Sequence, residues 1–176
     1  MILEYTLGPR QYRKYLLFPS LKQVAIIAAG SFVGVIWFGT GGHLLFVLGI
    51  TWAWFFLLRL LPLLIIGIRH SQLSKGAYFS IDTDNNTCQY KEKGISLSFR
   101  LTEIDKVTIV VSPPKYDVRA DFPGFGHFFY WKIILVDGRA LSISCMLLDL
   151  EYFPGKEIGR EKRVFPVPSS NQHLRL

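Results

Sequence analysis

The fold of this chain is decided by residues 21–68, which read LKQVAIIAAGSFVGVIWFGTGGHLLFVLGITWAWFFLLRLLPLLIIGI. The stretch contains two apolar runs, and a glycine-rich turn at residues 39–43 separates them. The first run, residues 21–38, is at the short end of what crosses a bilayer as a helix, and the second, residues 43–68, is easily long enough. We therefore expect a hairpin of two transmembrane helices.

The charge around this hairpin predicts its orientation. Basic residues flank it on both sides, whereas the connecting turn contains no Lys or Arg. The positive-inside rule then places both termini in the cytoplasm, and we expect the bacterial inner membrane as the location. The basic positions that we expect to meet anionic lipid head groups are Arg10, Arg13, Lys14, Lys22, Arg69 and Lys75. Most of the net charge of +7 comes from this region, which argues against nucleic acid as a direct partner.

Small residues recur four positions apart within both predicted helices. Such spacing lets helix backbones approach closely where lipid offers no hydrophobic drive for association. The positions concerned are Ala25, Ala29, Gly30, Gly34, Gly49 and Ala53. Two interpretations stay open: these residues pack the hairpin against itself, or they also pack neighbouring copies of the chain.

Arg59 is a charged residue inside the second apolar run. The usual helical rise places it about 24 Å beyond His43, near the cytoplasmic edge of the bilayer. There Arg59 either extends its charged end into the head-group region or faces a polar pore formed by several copies. Pro62 follows within one turn and predicts a kink or the exit of the helix from the bilayer.

The remainder of the chain is typical of a β-rich domain, which we expect to span residues 71–153. Short runs with strand-like alternation are separated by turn residues, and Asp137-Gly138 is a strong hairpin signal. The predicted strands are residues 77–82, 87–92, 95–101, 107–111, 128–136 and 139–145, and residues 146–153 predict a short C-terminal helix. Residues 1–20 form a basic cytoplasmic segment in this interpretation, and residues 154–176 form a tail. The predicted fold class is an α+β membrane protein.

The sequence contains little that indicates catalysis. Arg119, Asp121 and His127 form the best catalytic constellation, suited to phosphodiester cleavage, although such residues on a loop are more often a solvated pair. Cys88 and Cys145 have no metal-ligand spacing and predict buried free thiols in a reducing compartment. We expect no cofactor and no metal.

The order of these elements resembles the bacterial PH-like domains that follow a two-helix membrane hairpin. The resemblance rests on Tyr78-Phe79-Ser80-Ile81-Asp82, on the connector at residues 101–107, and on the Asp137-Gly138 hairpin before a terminal helix. It covers most of residues 20–153 and implies a PH-like fold. PH-like domains sometimes bind anionic head groups through basic residues on early strands, a role that Lys91 and Lys93 would fill here. Both lysines are equally compatible with protection of a solvated strand edge.

In size and layout the chain is also similar to the small membrane accessory proteins encoded beside the RNA-guided RNase of type VI-B CRISPR systems. That resemblance implies an oligomeric membrane pore that acts with the RNase in antiviral defence. The R-x4-6-H nuclease motif proposed for such proteins is not matched. Seven residues separate Arg119 from His127, and nine separate Arg163 from His173. We therefore infer no catalytic role for these arginines and histidines from the resemblance.

Three hypotheses follow from the sequence. The leading one is a non-enzymatic homo-oligomer that forms a pore or perturbs the membrane, with the bilayer, its own copies and a cytoplasmic RNA-guided RNase as partners. The second is a membrane-anchored PH-like adaptor that docks a cytoplasmic partner or an anionic lipid. The third is a membrane-tethered RNase.

Overall fold

The computed structural model describes residues 2–38, 42–121, 125–150 and 153–171. Most of the turn predicted at residues 39–43, part of the loop after Asp121, and His173 lie outside these residues.

Two long helices form the helical part of the molecule. The first covers residues 9–38 and consists of α1 (Pro9–Tyr12), a π-helical turn (Arg13–Leu17) and α2 (Phe18–Phe38). The second covers residues 42–74 and consists of α3 (Gly42–Phe55), a π-helical turn (Phe56–Leu60) and α4 (Leu61–Ser74). By length and composition, the segments Pro9–Ile36 and Phe46–Ser74 are both able to cross a membrane.

The two long helices run antiparallel. The Trp52 Nε1 donates a hydrogen bond to Ser31 Oγ over 2.9 Å, and the hydroxyls of Tyr12 and Ser71 lie 2.7 Å apart. The two pairs are separated by the same number of residues along each helix, as expected for two antiparallel helices in one register. The helices therefore stay side by side from near the hairpin turn to the β domain.

The β domain consists of two four-stranded sheets. The first sheet is antiparallel in the order β1-β2-β3-β4, and the second has the order β7-β6-β5-β8 with β8 parallel to β5. The strands are β1 (Ile2–Thr6), β2 (Tyr78–Asp82), β3 (Thr87–Glu92), β4 (Ile95–Arg100), β5 (Ile104–Val111), β6 (Phe129–Leu135), β7 (Ala140–Ser144) and β8 (Ile158–Lys162). A single 3₁₀ turn (Leu101–Glu103) links the sheets, and α5 (Pro113–Tyr116) follows β5.

The turns of the sheets follow from local sequence. Lys93 and Gly94 both have positive φ, 41° and 89°, which is the backbone geometry of a two-residue hairpin between β3 and β4. The predicted Asp137-Gly138 hairpin is confirmed: Gly138 has φ 85°, and β6 pairs antiparallel with β7. The six predicted strands are all present, with ends that differ from the prediction by up to three residues.

Two strands lie outside the predicted domain at residues 71–153. β1 comes from the N-terminal segment and pairs with β2, so that Ile2 lies opposite Asp82. β8 comes from the predicted tail and pairs with β5, so that Ile158 lies opposite Val107. A later part of the tail also contacts the domain, because Asn171 is buried and its Oδ1 accepts a hydrogen bond from Ser142 N in β7.

The predicted C-terminal helix at residues 146–153 is wrong over its described part. Residues 145–147 form a turn, and residues 148–150 have no regular secondary structure. One helical turn does close, because Leu148 N donates to Ser144 O over 2.9 Å. The chain then leaves the helical path, and the Leu148 carbonyl accepts a hydrogen bond from Trp131 Nε1 at 3.2 Å.

The ends of the long helices that lie away from the hairpin turn close the core of the β domain. Tyr15, Leu63 and Ile66 belong to the same buried apolar cluster as the sheet residues. His70 in α4 is fully buried: its Nε2 donates to the Pro166 carbonyl over 2.7 Å, and its Nδ1 lies 2.9 Å from the Ser144 hydroxyl. The helical hairpin and the domain therefore share one core.

Candidate functional site

A cavity of about 1000 Å³ lies where the first long helix meets the second sheet. Its charged lining consists of Lys14, Lys22, Lys115, Arg160, Asp121 and Asp149. Phe18 and Pro19 line it on the side of the apolar helix, and Phe129 of β6 lines it on the side of the sheet. The cavity thus joins a basic surface to the base of the apolar hairpin.

The π-helical turn at Arg13–Leu17 presents Lys14 and Tyr15 to this cavity. The Lys14 ammonium and the Tyr15 hydroxyl both donate hydrogen bonds to the carboxylate of Asp149. This carboxylate is therefore neutralised by Lys14. The two contacts also join the first long helix to the segment after β7.

His127 is fixed on the other side of the π-helical turn. Its Nε2 lies 2.9 Å from the Tyr15 carbonyl, and because a carbonyl can only accept, Nε2 carries the proton. In a regular α-helix this carbonyl would accept from the N–H of residue 19, but Pro19 has no N–H, which leaves the Tyr15 carbonyl available to a side chain. Burial lowers the pKa of His127 below 6.5, against the opposing effect of the Tyr15 hydrogen bond. The ring is therefore neutral at pH 7.

Two of the four cations that line the cavity have no partner in the described part of the chain. Lys14 pairs with Asp149, and the Lys115 ammonium lies 3.9 Å from the centre of the Phe129 ring. Lys22, on α2, and Arg160, on β8, make no ion pair or side-chain hydrogen bond with any described residue. The cavity consequently carries uncompensated positive charge.

Gln23 is the residue of this site that the sequence gives least reason to select. Its side chain is 8% exposed and lines the cavity. Its Oε1 is buried and has no hydrogen-bond partner among the residues that the structure describes. A buried polar atom without a partner costs about 1–3 kcal/mol, so it calls for an explanation. The available signal was that Gln23 is an uncharged amide within the first apolar run.

The predicted head-group residues divide between several places. Lys14 and Lys22 line the main cavity, while Arg10 and Arg13 line a shallow recess beside it. Arg69 lines a separate cavity of about 500 Å³ together with Glu92 and Lys93. Lys75, after α4, and Lys91, on β3, are both exposed.

The candidate catalytic residues are only partly brought together. Asp121 and His127 both line the main cavity, and Asp121 Oδ2 accepts a hydrogen bond from Gly126 N at 2.7 Å. Arg119 does not line it; its side chain is exposed and lies 3.5 Å from Asp117. Within residues 2–38, 42–121, 125–150 and 153–171, no three His, Cys, Asp or Glu side chains group as a metal site.

The small residues predicted to pack helices face unoccupied space. A Cβ added at Gly30, Gly34 or Gly49 would meet nothing within 4 Å. Ala25, Ala29 and Ala53 are exposed. These positions therefore do not bring the two helices of the hairpin into close contact.

Tight packing against the first long helix instead occurs at Gly67 in α4, which the spacing pattern missed. A Cβ there would collide with the side chain of Leu16 and lie 3.3 Å from Phe128 Cζ. No local pattern reveals this position, because the crowding comes from a distant loop and from the other long helix.

Arg59 lies in the π-helical turn Phe56–Leu60, immediately before the segment that contains Pro62. Arg59 is partly exposed, but its Nε is buried and has no hydrogen-bond partner in the described chain. Pro62 occupies the first turn of α4. Proline lacks the N–H that an α-helix would use, which is consistent with the irregular turn before it.

Both cysteines are buried and free, which confirms the prediction from the sequence. Burial raises the pKa of Cys88 and that of Cys145 to about 12 each. Neither thiol is therefore a nucleophile at neutral pH.

The family model described as PH domain matches residues 4–156. No curated protein matches the chain, and no solved structure does. The match begins within β1 and ends just before β8, so it includes both long helices and most of both sheets. Because it covers far more than half of the chain, this protein belongs to the PH domain family.

Proposed function

We propose that this protein is a non-enzymatic, membrane-anchored PH-like binding protein that recognises anionic lipid at the cytoplasmic face of a bacterial inner membrane. The observation that carries the proposal is a pair of cations, Lys22 and Arg160, in the cavity at the base of the apolar hairpin, neither of which has a partner among the residues that the structure describes.

The orientation follows from the charge of the chain. Arg10, Arg13, Lys14 and Lys22 precede or begin the first apolar run, and Arg69 follows the second. This distribution favours a hairpin whose two ends, together with the β domain, lie on the cytoplasmic side. The cavity then opens at the level of the lipid head groups.

The shared core supports a role in docking. The ends of both long helices pack inside the β domain, and His70 ties α4 to β7 and to the C-terminal segment. A domain held in this way keeps a fixed orientation relative to the bilayer. It would present its surface to a cytoplasmic partner in a defined geometry, which is what an adaptor needs.

Lipid retention tests the proposal directly. The full chain is placed in phosphatidylcholine nanodiscs that contain a minor fraction of phosphatidylglycerol, and native mass spectrometry measures the lipid that stays bound. Each cation near an anionic surface contributes about 1 kcal/mol, so Lys22→Ala with Arg160→Ala should weaken retention of phosphatidylglycerol by roughly 30-fold. The control is Arg100→Ala with Lys106→Ala, two exposed cations outside the cavity. Equal retention of both lipids by the wild type would contradict the proposal.

A homo-oligomer is a second candidate, and the open glycines favour it. Gly30, Gly34 and Gly49 offer close-approach surfaces that the hairpin itself does not use. Such surfaces suit packing of a second copy, and Arg59 would then lie near the packed helices. A monomer in native mass spectrometry would remove this candidate, and with it the pore. A link to an RNA-guided RNase in antiviral defence rests on the resemblance in size and layout alone.

A further inference from the structure

The main cavity, which Lys22, Gln23 and Arg160 line, contains more than positive charge, and its other groups restrict the chemistry of the ligand. We propose that it binds a polyol phosphate: Lys22 and Arg160 hold the phosphate, while a neighbouring hydroxyl donates a hydrogen bond to Gln23 Oε1. This inference rests on the function proposed above and names the head group that the site selects.

The phosphate is assigned to Lys22 and Arg160 by elimination within the cavity. Lys14 is already paired with Asp149, and Lys115 lies over the Phe129 ring. Lys22 supplies a compact ammonium and Arg160 a planar guanidinium, and both donate charge-assisted hydrogen bonds to phosphate oxygens.

The hydroxyl is assigned by Gln23. An amide oxygen can only accept hydrogen bonds, so a phosphate oxygen does not satisfy it, whereas a hydroxyl does. Gln23 neighbours Lys22 in sequence, and both side chains line the same cavity. A ligand with a hydroxyl a few bonds from its phosphate would therefore satisfy both groups.

The carboxylates of the cavity limit the charge of the ligand. Asp121 and Asp149 line it alongside the cations. A polyphosphorylated head group would place several negative charges near these carboxylates. A singly charged phosphodiester with a polyol, as in phosphatidylglycerol, fits the remaining charge better. Phe18 and Pro19 in the lining leave an apolar side for the start of the acyl chains.

The experiment compares two phosphodiester lipids of equal charge. Nanodiscs of phosphatidylcholine contain equal small fractions of phosphatidylglycerol and phosphatidylethanol with the same acyl chains, and only the former has free hydroxyls. Native mass spectrometry of the full chain measures the ratio of the two bound lipids. We expect the wild type to prefer phosphatidylglycerol about fivefold, the contribution of one neutral hydrogen bond.

Two variants isolate the amide. Gln23→Leu should reduce the preference to about one while retaining both lipids above phosphatidylcholine. Gln72→Leu, at an exposed position on α4 that lines the other cavity, should keep the wild-type ratio. Thermal unfolding in phosphatidylcholine alone should show Gln23→Leu at least as stable as the wild type, because a buried atom without a partner is removed. A marked loss of stability there would mean that Gln23 has a structural partner and would overturn the assignment.

The outcomes separate the two proposals. Equal binding of phosphatidylglycerol and phosphatidylethanol, both above phosphatidylcholine, overturns the polyol inference and leaves anionic lipid recognition standing. Binding of neither above phosphatidylcholine overturns the lipid proposal, and it overturns the polyol inference as well when glycerol 3-phosphate is not taken up either. A further arm adds glycerol 3-phosphate to protein in pure phosphatidylcholine: saturable uptake without any retention of phosphatidylglycerol supports the polyol phosphate site but assigns a soluble ligand.

Discussion

Replacing Gly67 by alanine tests how tightly the second long helix packs against the first. The added Cβ would collide with the Leu16 side chain and lie 3.3 Å from Phe128 Cζ, where the ring must shift by a few tenths of an ångström. Leu16 is only partly buried and can turn aside, but Phe128 is fully buried in the shared core. Overpacking of this kind typically costs about 1–3 kcal/mol.

The gain in helix propensity opposes this cost, so the comparison needs a control. Glycine to alanine inside a helix stabilises by up to about 1 kcal/mol. Gly30→Ala carries the same gain, and its Cβ meets nothing within 4 Å. We therefore expect Gly67→Ala to be less stable than Gly30→Ala by roughly 1–3 kcal/mol.

Thermal unfolding of the purified variants in one detergent measures the difference. About 2–4 °C of Tm corresponds to 1 kcal/mol for a chain of this size. Gly67→Ala should therefore melt several degrees below Gly30→Ala. A Tm equal to or above that of Gly30→Ala would refute the close approach of the helices at Gly67.

Two further predictions concern titratable groups of the β domain. Cys88 and Cys145 should resist maleimide in the folded protein at pH 7 and react fully in denaturant, because burial raises both pKa values to about 12; rapid labelling of the native protein would contradict their burial. Burial lowers the pKa of His127, so the unfolded state binds more protons and the free energy of unfolding should fall as pH drops below about 6.5. His127→Gln should reduce the slope of this part of a stability–pH curve measured by chemical denaturation, while His70, whose pKa burial lowers to about 4, keeps the remainder. An unchanged slope would contradict the assignment.

Local patterns in the sequence were enough to predict the two long helices and six of the strands. The apolar runs are long and nearly uninterrupted, and alternation along residues 95–100 gives the burial that the structure has. Turn residues such as Asp137 and Gly138 were recognisable because a two-residue hairpin requires positive φ, which glycine adopts readily.

Features that depend on distant residues were not predicted. β1 pairs with β2, so that Thr6 lies opposite Tyr78, 72 residues further along the chain. No local pattern in the sequence specifies so distant a partner. β8 reads IGREK, without apolar alternation, and forms because β5 offers it a parallel edge. Residues 146–148 have a helical composition, but their side chains are drawn into the core beneath Trp131.

The candidate site was found only in part for the same reason. The sequence drew attention to Lys14, Lys22 and His127 separately, as a basic flank and a loop histidine. Their meeting in one cavity with Arg160 depends on the pairing of β8 and on the π-helical turn at Arg13–Leu17. Pro19 is a local signal for the irregular turn, since it lacks a backbone N–H, but nothing in the composition of β8 indicates its pairing.

The most direct test of a membrane hairpin with a cytoplasmic β domain is the side from which each end of the molecule can be labelled. His43 is exposed near the hairpin turn, and Val118 is 89% exposed on the β domain. Because the native cysteines are buried, His43→Cys and Val118→Cys each introduce one reactive thiol. In intact spheroplasts, a membrane-impermeant maleimide should label His43→Cys, and it should label Val118→Cys only after permeabilisation. Labelling of both positions from the same side would contradict the account.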